Sequence, residues 1–161
     1  MTSPAVLLTE LVLETFRLNG EVLISGDRLV ADLRLTSARW QVLGAIGLST
    51  VALPVAHIAR NMGLSRQAVQ RLVNEMAHQG LVRLAPNPHH QRAKLVLLTA
   101  EGAATYAAAM DRQRPWVEAL ATGLSTEEIG AACRVLRHLR SKLRSQNDRM
   151  PEEVRNVEKL T

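Results

Sequence analysis

The 161-residue chain has few aromatic residues, a single cysteine and no long apolar run. With one Phe, one Tyr and two Trp, a core built from its 47% hydrophobic residues must consist mainly of Leu, Val, Ile and Ala, as in a helical protein. A lone cysteine, Cys133, excludes an intrachain disulfide and suits a reducing compartment. No apolar stretch approaches the ~18 residues of a membrane span, and residues 1–10 lack a secretory-signal pattern. We therefore expect a cytoplasmic protein without a membrane partner.

The sequence also lacks the patterns of a catalytic or metal site. Its five histidines are His57, His78, His89, His90 and His138. None has the spacing of a metal ligand set, and no phosphate loop, Ser-His-Asp arrangement or carboxylate pair is evident. We therefore expect no enzyme activity, no cofactor and no metal, although a metal site assembled by folding stays open. Cys133 lies on an apolar helix stripe, which favours a small buried residue over a redox switch.

Positive charge is concentrated in the middle of the chain. Residues 36–99 carry seven basic side chains and one acidic side chain, Glu75, so this segment has a net charge of +6. The rest of the chain is slightly negative, and the whole chain carries +5. Such clustering is typical of a surface that binds a polyanion, whereas an ordinary solvated basic face is the plainer alternative.

The same segment has the pattern of a helix-turn-helix. Two helical stretches begin at Pro54 and after Ser65, and Gly63 suits the turn between them. Ala59 provides a small side chain for close helix contact, and Val69 provides an apolar side chain for the core. Ser65 is the predicted N-cap of the second helix, and Gly80 is the predicted glycine at its C-terminal end.

The second helix of this unit has two different faces. At ~100° per residue, its apolar face consists of Val69, Leu72, Val73 and Met76. Its opposite face has no hydrophobic side chain and consists of Arg66, Gln67, Gln70, Arg71 and Asn74. Arginine can bond guanine, and glutamine or asparagine can bond adenine, in the DNA major groove. Since it follows a helix-turn-helix turn, we interpret this polar face as a DNA-reading face.

A basic hairpin is predicted directly after this helix. Residues 81–85 and 92–98 have strand patterns, and residues 86–91 contain the turn signals between them. On the N-terminal side, Thr36 is the predicted N-cap of a helix, residues 47–53 are a predicted loop, and Pro54 suits the first turn of the next helix.

Longer helices are predicted on both sides of this central segment. Residues 4–30 carry apolar side chains on more than one face, which suggests neighbours on two sides, often a second subunit. A break or bend is expected at Asn19-Gly20. Thr99 is predicted to cap a helix that ends near residue 121, and Ser125 and Glu128 have capping-box spacing at the start of a last helix.

In order and spacing, these segments resemble the MarR family of bacterial transcriptional regulators. The resemblance covers roughly residues 5–145. It rests on Leu35–Thr36, Trp40–Leu43, Leu64–Val73, Gly80–Arg83 and Leu98–Gly102. It implies a mainly α (α+β) fold, a winged helix-turn-helix with N- and C-terminal helices that build a two-fold dimer. The corresponding division is an N-terminal dimerisation helix at 1–35, a DNA-binding lobe at 36–99, C-terminal dimerisation helices at 100–146 and a charged tail at 147–161.

The resemblance also implies roles for individual residues. In such regulators the second helix enters the major groove and the hairpin, or wing, enters the minor groove. The residues expected to contact DNA are Ser65, Arg66, Gln67, Gln70, Arg71, Asn74 and, at the wing, Arg92. The chain departs from the family at His90-Gln91, where the family usually has Asp-Arg. Neutral His90 cannot provide the ion pair by which that Asp restrains the wing arginine, and Gln91 removes one phosphate-contact candidate.

Related regulators often bind small aromatic acids or other amphipathic effectors between the dimer helices and the DNA-binding lobe. The side chains that could line such a cleft here are Phe16, Arg39, Trp40 and Trp116, although Trp40 also suits the core. The sequence thus predicts a homodimeric, sequence-specific regulator, a ligand-released repressor that binds double-stranded DNA at a pseudo-palindromic operator. The alternative is a winged-helix module for protein interaction, because a fold does not by itself assign a function.

Overall fold

The computed structural model describes residues 3–90 and 92–149. Its helices are α1 (Pro4–Val30), α2 (Ser37–Gly47), α3 (Val55–Met62), α4 (Arg66–His78), α5 (Ala100–Ala121) and α6 (Thr126–Arg149), with a 3-10 turn at Ala31–Leu33. Its strands are β1 (Leu53–Pro54), β2 (Val82–Ala85) and β3 (Leu95–Leu98). The predicted mainly helical winged helix-turn-helix is confirmed. The chain forms two compact units, which divide after Trp116 within α5, and the predicted functional division at 35, 99 and 146 stays a prediction.

The predicted helix starts are confirmed by side-chain caps. Thr36 Oγ1 accepts a hydrogen bond from the Arg39 amide at 3.3 Å, and Ser65 Oγ accepts one from the Ala68 amide at 3.1 Å. Thr99 Oγ1 accepts one from the Gly102 amide at 3.0 Å. Each cap satisfies a backbone donor that the first helical turn leaves unpaired.

The capping box at the start of α6 is reciprocal. Ser125 Oγ accepts from the Glu128 amide at 3.1 Å, and the Ser125 amide donates to Glu128 Oε2 at 2.8 Å. This backbone donor, followed by the Ser125 hydroxyl, holds the pKa of Glu128 below its usual value. The box is thus intact when Glu128 is ionised.

The core of the first unit lies among α2, α3, α4 and the small sheet. Val42 and Leu43 of α2, Ile58 of α3 and Val96 of β3 have no exposed surface. From α4, the predicted apolar residues Val69, Val73 and Met76 are equally buried, and Leu72 packs at the edge of the cluster. These aliphatic residues form the core that the scarcity of aromatic side chains predicts.

The sheet differs from prediction at its ends. Its order is β1-β3-β2 with antiparallel pairing, and Ala85 opposite Leu95 is the last pair of the hairpin. The predicted second strand therefore begins three residues too early, because Pro86 has no amide hydrogen with which to extend the ladder. The predicted loop at 47–53 also missed β1, a two-residue strand that pairs with β3. Pro54 is the N-cap of α3 rather than part of its first turn.

The flanking helices also bring corrections. α1 is continuous through Asn19-Gly20, so the expected break is wrong; a single glycine costs about 1 kcal/mol in a helix, which 27 residues can tolerate. α6 continues to Arg149, past the predicted start of the tail at residue 147, and residues 150–161 lie outside the described residues.

Cys133 is half-buried in the single chain, not buried as expected. Within the described ranges, no helix is long and apolar enough to cross a membrane.

One close backbone approach fixes the start of α5 against the end of α4. The Thr99 amide donates to the carbonyl oxygen of Leu81 at 3.1 Å, and the Thr99 hydroxyl donates to the Gly80 carbonyl oxygen. A Cβ at Gly102 would lie 1.8 Å from the same Leu81 oxygen. Only glycine fits at this position without a shift of the backbone.

We expect Gly102→Ala to lower the free energy of unfolding by about 1–3 kcal/mol or more, because the added methyl group displaces backbone instead of a flexible side chain. The matched control is Gly20→Ala in α1, where a Cβ meets nothing within 4 Å. The control should raise stability by about 0.5–1 kcal/mol, as alanine does in a helix interior. Urea denaturation measures both. A Gly102→Ala protein as stable as the parent would contradict the packing described.

Candidate nucleic-acid interface

The polar face of α4 is presented to solvent by the burial of its opposite face. Val69, Val73 and Met76 are fully buried on one side. The predicted contact residues lie on the other side, where Ser65, Arg66, Gln67, Arg71 and Asn74 are exposed and Gln70 is half-buried. The structure thus brings all six together on one surface of one helix.

The turn before α4 sets the angle between the two helices of the motif. Gly63 has a positive φ of 69°, a conformation that glycine adopts without strain. The Leu64 amide donates to the Ala59 carbonyl oxygen at 3.1 Å, which closes α3, and Ala59 itself is buried. The residues that suggested a helix-turn-helix therefore have the predicted roles.

Two amides on the exposed face are already oriented. Gln70 Nε2 donates to Asn74 Oδ1 at 2.9 Å, one helical turn away. This bond uses one Gln70 donor and one Asn74 acceptor, and it leaves the Gln70 oxygen and the Asn74 amide hydrogens for other partners. The pair therefore offers an acceptor and donors side by side, which is the pattern that an adenine edge requires.

The wing carries exposed basic residues both in the segment before β3 and on β2. Arg92 and Lys94 are exposed and lie between the hairpin turn and β3, and Arg83 is exposed on β2. Turn bonds shape the tip, where the His90 amide donates to the Asn87 carbonyl at 3.2 Å and the Ala93 amide to the His90 carbonyl at 3.0 Å. Among the described residues, no carboxylate forms an ion pair with Arg92, and Gln91 lies outside those residues.

The only acidic side chain of residues 36–99 is committed to an ion pair. Arg39 Nη2 on α2 donates to Glu75 Oε2 on α4 at 2.9 Å. This pair neutralises the one carboxylate that would repel a polyanion beside the polar face of α4. Arg39 is not among the residues that line the cavity described next, and its predicted contact with an effector stays a prediction.

A cavity of about 330 Å³ lies in the first unit, among α1, α2 and α5. Trp40 and Trp116 line it, whereas Phe16 is outside it and is 70% exposed on α1. That these residues contact an effector stays a prediction. The sequence analysis missed Tyr106, Met110 and Gln113, which line the cavity from α5. Their spacing of four and three residues places them on one helix face with Trp116, a signal that the periodicity already contained.

A second ion pair joins the end of α1 to α5 near this cavity. Arg112 Nε donates to Asp32 Oδ1 at 3.1 Å, and Arg112 Nη2 donates to the other carboxylate oxygen. These hydrogen bonds, together with the guanidinium charge, hold the pKa of Asp32 below its usual value. The pair is bidentate and leaves Arg112 with little capacity for another anion.

In the described part of the chain, no group of three or more His, Cys, Asp or Glu side chains could hold a metal ion. His89 and His90 are exposed at the wing tip. The two histidines therefore add polar surface to the wing but no ligand set.

Comparison with known proteins identifies the central segment. Residues 35–93 match the model of the MarR family. This segment, which contains α2, α3, α4 and β2, is similar to the MarR family. The family consists of transcription regulators and not of enzymes, which agrees with the lack of a catalytic pattern in the sequence.

Two curated relatives each match part of the chain. The protein Rv2011c of Mycobacterium tuberculosis is 39% identical over 95 residues, which are 59% of this chain and 65% of that protein. The transcriptional activatory protein BadR of Rhodopseudomonas palustris is 36% identical over 80 residues, 48% of this chain and 46% of BadR. The chain thus spans between about half and two thirds of the relatives that it matches.

Solved structures share the fold over most of the chain. The regulator MosR of M. tuberculosis, solved in complex with DNA, superposes with a TM-score of 0.71 at 22% identity and covers 86% of this chain and 98% of its own. CouR of Rhodococcus jostii, solved with p-coumaroyl-CoA, gives a TM-score of 0.70 at 22% identity, with 77% and 87% covered. At these identities the likeness establishes the fold alone.

Ser65 allows a test that separates folding from polyanion binding. Ser65→Asp keeps a side-chain oxygen at the N-cap, so stability should stay within about 0.5 kcal/mol of the parent or rise. The added negative charge on the exposed face should lower affinity for duplex DNA by roughly tenfold or more. Ser65→Asn is the matched control, since it keeps the cap without the charge. Thermal melts and gel-shift titrations measure the two effects; equal DNA affinity in both variants would contradict an interface at Ser65.

Proposed function

We propose that this protein is a homodimeric, sequence-specific DNA-binding regulator of transcription whose binding responds to a small effector. The observation that carries the proposal is the exposed polar face of α4 within a MarR-family winged helix-turn-helix. This face presents six side chains that donate or accept hydrogen bonds. The opposite face of the helix is anchored in the core by the fully buried Val69, Val73 and Met76. A helix held in this way can read base edges in a major groove.

The chemistry of each side chain indicates which group of the DNA it would contact. Arg66 and Arg71 are the candidates for guanine or phosphate, the Gln70–Asn74 pair is the candidate for adenine, and Ser65 and Gln67 lie near the helix N-terminus, where a phosphate is favoured. Arg92 on the wing is the candidate for the adjacent minor groove. Because Arg92 has no carboxylate partner among the described residues, it reaches the groove as a mobile charge and not as a fixed one.

A second copy of the chain is the proposed partner of α1. Of its 27 residues only Gly26 and Val30 are buried, and large apolar side chains such as Val6, Leu13 and Phe16 are exposed. In the second unit, Leu136 and Leu143 of α6 are also exposed. Apolar surface of this extent is typical of an interface with another chain. A two-fold dimer would place two α4 helices about one DNA turn apart, on a pseudo-palindromic site.

Effector response is supported by the position of α2. This helix contributes Trp40 to the cavity and, one residue earlier, Arg39 to the ion pair with Glu75 of α4. A molecule that shifts α2 in the cavity therefore acts directly on the DNA-reading helix. CouR was solved with p-coumaroyl-CoA, which supports an effector site in this fold without identifying the effector here.

A transcription assay distinguishes repression from activation. Repression is the simplest mode, because an operator that overlaps a promoter blocks polymerase whenever the dimer is bound. The relative BadR is an activatory protein. A single-round assay on a selected promoter should show lower transcript with the protein, and restored transcript when the effector is added; transcript that rises with the protein would establish activation instead.

Sequencing of duplexes selected by the purified protein tests DNA recognition directly. We expect paired half-sites with centres about 10 base pairs apart, and affinity at least about a thousandfold above that for random duplex. A selection without a shared sequence, together with a co-purifying protein, would replace the proposal with a protein-interaction role.

Two arginine variants then test the recognition helix. Arg66→Ala and Arg71→Ala should each lower affinity for the selected site by about ten- to a hundredfold. A variant that loses a phosphate contact also lowers the salt slope by about one, whereas one that loses a base contact relaxes the sequence preference. Arg114→Ala is the control, because Arg114 is an exposed arginine of α5 paired with Asp111. An equal loss in all three variants would point to net charge and not to contacts of α4.

A further inference from the structure

We infer that the cavity of the first unit selects an electrically neutral, flat aromatic molecule and disfavours an aromatic acid. This inference rests on the proposed role of the cavity as an effector site. It concerns the charge of the ligand, which the fold does not determine.

The lining itself carries no formal charge. None of the residues that line the cavity is Asp, Glu, Lys, Arg or His. Its walls are Trp40, Trp116, Tyr106 and Met110, with aliphatic side chains of α1 beside them. Flat aromatic walls favour stacked or edge-on contacts with another ring. A cavity of about 330 Å³ lies at the small end of the usual range for ligand sites, ~300–1,000 Å³.

The arginines next to the lining residues in sequence have other partners. Arg39 precedes Trp40 and bonds Glu75 at 2.9 Å. Arg112 precedes Gln113, makes two hydrogen bonds to Asp32, and donates a further one to the Ala108 carbonyl oxygen at 3.0 Å. Arg114, which follows Gln113, pairs with Asp111 at 3.3 Å. Each of these three arginines would have to leave an existing ion pair to bind a ligand.

A carboxylate next to the lining disfavours an anionic ligand. Asp27 Oδ1 accepts from the amide of Ser37, a lining residue, at 2.6 Å. A ligand carboxylate in the cavity would therefore have a like charge close by and no cation to pair with. An unpaired charge removed from water is strongly unfavourable, whereas an amide or hydroxyl needs only a hydrogen-bond partner.

The polar groups of the cavity suit such a neutral ligand. Gln41 and Gln113 both line it, and each amide can donate and accept. The Ser37 hydroxyl already donates to the Leu23 carbonyl at 2.8 Å, so it offers only its lone pairs. An amide or hydroxyl substituent on an aromatic ring can therefore find both kinds of partner.

The probes are 2-naphthamide and 2-naphthoate, which share a ring system and differ in charge at neutral pH. Titration calorimetry of the purified full chain gives both affinities. Emission from tryptophan locates the binding, because the chain has only two tryptophans and both line the cavity. We expect the amide to bind at least about tenfold more tightly and to change the emission. Equal or tighter binding of the naphthoate, or binding of neither probe, would overturn the inference.

A substitution that adds a cation should reverse this order. Gln113→Arg places a guanidinium in the lining, and we expect the naphthoate then to bind more tightly than the amide. The matched control is Gln146→Arg, at an exposed position of α6 outside the lining, which should keep the parent's preference. An unchanged preference in a folded Gln113→Arg protein would refute binding in this cavity. These titrations contain no DNA, so a negative result in them does not contradict the DNA-binding proposal. In the same way, a negative gel shift does not contradict the ligand result.

Discussion

The complete burial of one face of α4 is the constraint on which the interface depends. Val69, Val73 and Met76 have no exposed surface, and they lie against α2, α3 and the sheet. A rotation of the helix by one residue, about 100°, would expose them and bury Arg66 or Arg71 without a partner. The aliphatic core therefore determines which side chains face outward. The glycine turn at Gly63 and the cap at Ser65 fix where that face begins.

Ion pairs in the first unit affect the charge of two surfaces, the polar face of α4 and the lining of the cavity. The Arg39–Glu75 pair neutralises the only carboxylate of residues 36–99, and it gives Arg39 a partner outside the lining of the cavity. The Arg112–Asp32 pair does the same for a second cation. The basic surface of α4 and the wing thus stays uncompensated, while the cavity stays neutral. Exposed pairs of this kind add little stability, so their effect on the two sites is the larger consequence.

Local features were predictable from the sequence, whereas contacts between distant residues were not. The caps at Thr36, Ser65 and Thr99 depend on residues within three positions, and the faces of α4 depend on periodicity. By contrast, Glu75 lies 36 residues from Arg39, so no local pattern identifies their ion pair. The same holds for β1, whose two residues form a strand only because β3 lies beside them. The cavity could be anticipated from its tryptophans and from the helix face that Tyr106 shares with Trp116, but the approach of Tyr106 to Gly44 and Gly47 of α2 could not.

The shared helix α2 gives the two sites a physical connection. Trp40 faces the cavity, and the preceding residue holds α4 through Glu75, so a displacement of α2 changes the geometry of that ion pair. α2 also packs closely on α5, since a Cβ at Gly47 would lie 2.9 Å from the Tyr106 ring. Allosteric coupling of about 1–3 kcal/mol corresponds to a change of roughly 5- to 150-fold in affinity. A displacement of α4 that weakens a few of its contacts with bases would change the free energy of DNA binding by a similar amount, because each bidentate contact contributes about 1–3 kcal/mol. The proposed effector response therefore requires no large rearrangement: a small movement of α2, which contacts both the cavity and α4, is sufficient.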